Sequence, residues 1–244
     1  MDLDNLSKNW DALGEEDPMW AILADPSKRG NKWGEEEFFE TGREHVAEYL
    51  ALLERVSPAT GRGRAMDFGC GAGRLTQALA DHFEAVDGID IAPSMIRLAQ
   101  DLNRHGDRVT YHLNQRDDLQ LLDDNTMDLV FSLIVLQHVE NRYKEKYFAE
   151  FIRVLAPKGV AMFTVPSHPR LTPEGVMYLL PNSLLNVYRK RRYGNTGVME
   201  LHPMKRDVVV EAVQHAGGAV LDVAPEPLAG DVWHSFRYIV GKPG

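Results

Sequence analysis

The hydrophobic positions change period close to residue 62. In Glu35–Val56 the apolar residues Phe38, Phe39, Val46, Tyr49, Leu50, Leu53 and Val56 recur near helical spacing, which predicts one long amphipathic helix. Residues 1–62 hold no convincing strand, and Pro58, Gly61 and Gly63 then break the chain. From Arg64 onward short apolar runs alternate with helical stretches. Residues 64–68, 84–91, 108–113, 127–135 and 159–165 read as strands, and 74–83, 93–104 and 143–155 as helices. Such alternation implies a parallel sheet with right-handed crossovers. Past Pro166 a helical stretch over 172–194 is interrupted at Pro181; a helix over 205–218 and strands over 219–224 and 233–241 follow.

The expected fold is therefore α/β: a doubly wound sheet of about seven strands, mostly parallel with an antiparallel last strand, plus an N-terminal helical cap. Residues 1–62 form the cap or lid. Residues 63–244 form the main domain, with a helical insertion at about 167–203. Ligands in open α/β sheets bind at the carboxyl ends of the strands. The insertion falls at that edge, so it is expected to shape a substrate pocket.

Composition narrows the function classes. The 244-residue chain has 44% hydrophobic and 26% charged residues and a net charge of −9. Phosphate contacts need Lys and Arg, so no nucleic-acid partner is expected. Cys70 is the single cysteine, which excludes an intrachain disulfide and a four-cysteine metal site. No histidine–carboxylate spacing demands a metal, and none is expected. No apolar run reaches the roughly 18 residues a spanning helix needs, and the acidic N-terminal stretch lacks a signal-peptide pattern. The expectation is a cytoplasmic monomer or homodimer with a small-molecule partner and no membrane partner.

The chemistry is concentrated in "MDFGCGAGRLT", Met66–Thr76. A strand that runs into a glycine turn at a helix N-terminus presents free N–H groups and a positive dipole end. Gly69 and Gly71 fit the dinucleotide pattern G-x-G-x-x-G, but Arg74 stands where its third glycine belongs, and Gly73 comes one residue early. No G-K-S or G-K-T follows, which excludes a P-loop. Asp90 ends the second strand, where a carboxylate accepts hydrogen bonds from two ribose hydroxyls.

This loop, with "VDGIDIAPSMIRLA", "DDNTMDLVFSLIVLQHV" and "FIRVLAPKGVAMFTVPS", resembles the successive motifs of class I S-adenosylmethionine-dependent methyltransferases of the broad type 11 sort, over about residues 64–166. The resemblance implies a Rossmann-like methyltransferase domain with S-adenosyl-L-methionine as cofactor. It implies that Asp67, Gly69, Gly71 and Gly73 line the methionyl end. It further implies that Asp90 takes the ribose, that Ile91 and Met95 flank the adenine, and that Leu133 lines the site. An acid after the third strand often binds the adenine amine in related enzymes. Here that place reads "LNQRDDL", so Asn114, Gln115 or Arg116 stands near it, with Asp117 and Asp118 just beyond. Trp33 and Arg43 are the cap residues expected to face the cofactor, and Arg43 or Arg74 could meet its carboxylate.

Methyl transfer from a sulfonium mainly requires alignment, and an oxygen or nitrogen acceptor must also lose a proton. A histidine suits that step. His138, directly after the fourth strand, is the first choice for a general base, and His202 the second; a capping role is the alternative for each. Gln137, His168, Tyr178 and Tyr193 are the candidate substrate contacts. The cations Arg189 to Arg192 read either as a solvated helix end or as a patch for an acidic substrate. The expected reaction is methylation of a small molecule at a hydroxyl, such as a sugar or natural-product intermediate. N- or C-methylation, a nicotinamide-dependent oxidoreductase and a non-catalytic cofactor-binding protein are the alternatives.

Overall fold

The computed structural model describes residues 2–193 and 198–243. The strands are β1 (Arg64–Phe68), β2 (Ala85–Asp90), β3 (Val109–Leu113), β4 (Met127–Ser132), β5 (Leu155–Pro169), β6 (Ala219–Pro225) and β7 (Trp233–Gly241). They form one sheet in the order β3-β2-β1-β4-β5-β7-β6. β1 to β5 pair in parallel, and β7 inserts antiparallel between β5 and β6. This is the Rossmann-like α/β sheet that the period change predicts.

The helices are α1 (Leu3–Glu16), α2 (Pro18–Ile22), α3 (Glu35–Val56), α4 (Arg74–Leu79), α5 (Pro93–Asp101), α6 (Asn141–Val154), α7 (Pro173–Met177), α8 (Asn182–Tyr193) and α9 (Arg206–His215). Each face of the sheet carries its own core. On one, Phe148, Phe163 and Tyr238 stack with centroids 5.1 and 5.4 Å apart. On the other, α3 packs Val46, Leu50 and Leu53 against Leu75, Leu79 and Leu129. α3 approaches α4 so closely that a Cβ at Gly42 would lie 2.4 Å from the Arg74 carbonyl oxygen. It is thus packed on the sheet domain as a layer, while α1 and α2 lie over the strand ends.

Several boundaries differ from the sequence reading: β4 ends at Ser132 rather than 135, α4 at Leu79 rather than 83 and α5 at Asp101 rather than 104, and both ends of β5 move. β5 begins at Leu155 rather than Gly159, because Leu155 pairs with Met127 before a register shift that leaves Lys158 at φ +68°. β5 also continues through Pro169, since His168 and Pro169 pair with His234 and Trp233. The helical insertion therefore starts near Arg170 rather than at 167. Among the described residues no helix is long and apolar enough to cross a membrane.

Candidate active site

The glycine loop folds back on the end of β2. The N–H groups of Gly69 and Cys70 both donate to the Ile89 carbonyl, at 2.7 and 2.9 Å. Gly69 and Gly71 hold φ of +79° and +53°, a region where a side chain is strained. The space is also taken: a Cβ on Gly69 would lie 2.3 Å from Val135, and one on Gly71 2.6 Å from Ile22. The loop is thereby clamped between the segment after β4 and the end of α2.

Asp90 closes the corner. Its two carboxylate oxygens accept from the N–H groups of Gly71 and Ala92, each at 2.9 Å. Burial nevertheless holds its pKa above the usual carboxylate value. Beyond this corner opens a cavity of about 1560 Å³. That exceeds the roughly 300–1,000 Å³ of an ordinary ligand pocket and leaves room for a cofactor and an acceptor together. Its walls come from the glycine loop, the ends of β2 and β4, α1, α2 and the insertion.

Three cavity-lining side chains hold buried polar atoms without a protein partner among the described residues: Asp17 Oδ1, Trp20 Nε1 and Arg74 Nε. Asp17 spends its other oxygen on the Gly30 N–H, at 2.6 Å. Arg74, 2% exposed, donates from Nη1 to Thr41 Oγ1 and sits 2.9 Å from His45 Nδ1. Orphaned buried polar atoms call for a partner. An acid and a guanidinium facing one cavity fit a ligand that bears both an ammonium and a carboxylate.

His138 lies in the same cavity, in a 3-10 turn (Leu136–His138) after β4. Its ring meets Trp10 of α1 edge-on, with centroids 4.9 Å apart. Nδ1 is 2.8 Å from the Glu200 carbonyl oxygen, which can only accept, so Nδ1 carries the proton. Nε2 then presents a lone pair, 3.1 Å from the Gln137 amide nitrogen. Burial pushes the His138 pKa down to about 4, so the ring is neutral. The segment after the insertion is pinned beneath it. The His202 N–H donates to the Gln137 carbonyl at 2.7 Å, and the buried Lys144 ammonium donates to Asn141 Oδ1 and to the His202 carbonyl.

The structure brings together Trp33, Gly69, Gly71, Arg74, Asp90, Ile91, Met95, Asn114, Leu133, Gln137, His138 and Tyr178 around the cavity. Seven candidates lie elsewhere. Arg43 pairs with Glu36 and Glu40 on the outer face of α3, because those acids share its helix face. Asp67 is buried beneath the loop and accepts from Thr76 Oγ1 at 2.6 Å. Gly73 turns toward Tyr111, whose hydroxyl a Cβ would meet at 2.2 Å. Arg116 pairs with Asp118 and Asp117 with Lys146, both at the surface. His168 sits on the exposed end of β5 against His234. His202 faces a separate shallow groove, with Nε2 3.2 Å from Glu200. The Tyr193 side chain lies outside the described residues.

Sequence reasoning missed Trp10, Asp17 and Ile134. α1 carries the first, and its Leu3, Leu6 and Leu13 spacing was the available signal. Ile134 is β-branched yet held at φ +56°, with its N–H on Thr164 Oγ1 at 2.9 Å. Such a backbone costs about 1–3 kcal/mol and gathers at functional sites. No sequence pattern announces it.

Part of the chain is similar to known proteins. Residues 65–159 match the family described as a methyltransferase domain. That stretch is thus similar to a methyltransferase domain, and the fold around it is that of solved S-adenosylmethionine-dependent methyltransferases. Among particular relatives, it is 30% identical over 105 residues to a demethylmenaquinone methyltransferase of Tropheryma whipplei, across 43% of this chain and 42% of that protein. It is 28% identical over 118 residues to a ubiquinone biosynthesis O-methyltransferase of Coxiella burnetii, across 47% and 48%. The chain spans less than half the length of these curated relatives. Its fold is similar to that of the magnesium protoporphyrin IX methyltransferase from Synechocystis, solved with bound SAH, at TM-score 0.64, 15% identity and 99% and 100% coverage.

Proposed function

We propose that the protein transfers a methyl group from S-adenosylmethionine to a hydroxyl of a small, largely apolar acceptor, with His138 as the general base. One observation carries this reading: the Asp90 corner and the neutral His138 ring face a single large cavity. When bound, S-adenosylmethionine supplies a methyl on a sulfonium, a leaving group that needs no acid. Asp90 would hold the ribose hydroxyls, Ile91 and Met95 the adenine faces, and Asp17 and Arg74 the ammonium and carboxylate of the methionyl end.

The chain's own residues then handle the acceptor. Trp10, Leu133, Tyr178 and Leu185 line the cavity and exclude water. The acceptor hydroxyl replaces the Gln137 amide as donor to His138 Nε2, and the ring takes its proton as the methyl arrives. The Glu200 carbonyl, on Nδ1–H, orients the ring and stabilises the imidazolium that forms. A base with a pKa near 4 suits an acidic hydroxyl, phenolic or enolic, better than a sugar alcohol. The apolar walls favour the same choice.

The test is a His138→Asn variant assayed with a panel of phenolic and alcoholic acceptors. The reading expects unchanged S-adenosylhomocysteine binding by calorimetry and turnover lowered by about 100-fold or more. Full turnover in the variant would remove His138 from the chemistry.

A further inference from the structure

Among the described residues ten large hydrophobic side chains stand exposed, and six of them fall within residues 171–187. They are Leu171 (90% exposed), Val176, Leu179 (63%), Leu180, Leu184 and Val187 (65%). Scattered exposed leucines need no explanation, but a concentration on one short segment does. The same segment, α7 and α8 with the turn between them, lines the cavity with Met177, Tyr178 and Leu185. The segment thus turns apolar side chains both toward the acceptor space and outward, and among the described residues no element covers the outward ones.

Charge selects what covers the outer side. Residues 170–192 hold five cations and one acid, Glu174, in a chain whose net charge is −9; of the cations, Arg189 is buried in the cavity wall against Asn182 and Asn186. Arg170 and Arg191 are exposed, at the two ends of the apolar segment. A second copy of this chain would set two cationic segments against each other. An apolar helical segment with exposed leucines and flanking exposed arginines instead matches the interface of an anionic bilayer.

We propose that the α7–α8 insertion seats the protein on an anionic lipid surface, from which a lipophilic acceptor reaches the cavity behind it. The inference rests on the reading of that cavity as the acceptor site. It departs from the sequence expectation of no membrane partner, which followed from overall acidity and from the lack of a spanning run. Neither bears on a peripheral contact, because the cations are segregated and the apolar residues are confined to one insertion.

Sedimentation with vesicles tests it. The full chain should partition onto vesicles of phosphatidylglycerol mixed with phosphatidylcholine, and should be released by high salt and absent from pure phosphatidylcholine. A Leu179→Asp/Leu184→Asp variant should lose at least about tenfold in partition, and Arg191→Glu should lose severalfold. S-adenosylhomocysteine binding by calorimetry should be equal in all three proteins, which shows that the fold is intact. Equal sedimentation of wild type and variants would overturn the proposal, and so would equal binding to pure phosphatidylcholine. A wild-type dimer that ignores vesicles and that the leucine variant dissociates would overturn it in favour of self-association. Failure of the wild type to bind S-adenosylhomocysteine would instead strike the proposed function and leave the vesicle result standing on its own.

Discussion

Two buried groups give the protein opposite pH signatures. Burial holds the His138 pKa at about 4 in the fold, against an ordinary value of 6.5. Between these values the unfolded chain binds a proton that the fold does not, so this group lowers stability as pH falls from about 6.5 toward 4. Asp67 is pushed by burial from 3.8 to about 6. The folded state takes up that proton first, so its contribution is present at acid pH and is lost as pH rises through 6. Thermal melts should therefore show His138→Asn gaining on wild type as pH falls from 6.5 to 4. Asp67→Asn should gain on wild type as pH rises from 4 to 6. Both residues were visible as candidates in the sequence, but their environments were not. Asp67 sits on a strand whose side chain turns beneath the loop, and only the fold tells it from Asp90.

At the scale of elements, the cover over the site is held by a few specific bonds. The Asn9 side chain of α1 donates to the Val198 carbonyl at 2.7 Å and accepts from its N–H at 2.6 Å. Ser7 Oγ reaches the Ile91 carbonyl, and the Ser94 hydroxyl reaches that of Asp11. Asn9→Ala strands two backbone groups and should cost about 1–3 kcal/mol, read as a lower melting temperature and faster proteolysis in α1. Strands and helices such as Arg64–Phe68 and Glu35–Val56 were legible to the residue, because their apolar periods are undisturbed by function. β5 was misread at both ends. Its start is a bulge at Lys158 and its end is fixed by pairing with β7, and neither leaves a local trace. The role of α1 escaped because its apolar face is divided, with Leu3 and Leu6 in the sheet core and Leu13 against α5, while Trp10 also lines the cavity.

For the whole molecule, ligand binding and stability are linked. A ligand at 100 times its Kd adds about 2.7 kcal/mol, so saturating S-adenosylhomocysteine should raise the melting temperature by about 5–10 °C in a chain of this size. The central claim is that the glycine loop and Asp90 form the cofactor site. Calorimetric titration of S-adenosylhomocysteine into wild type and Asp90→Asn tests it most directly. The account predicts one site per chain in wild type and affinity lower by about 10- to 100-fold in the variant, since a charged acceptor to the ribose is lost. Equal affinity in the two proteins, or binding of NAD(H) in place of S-adenosylhomocysteine, would contradict it.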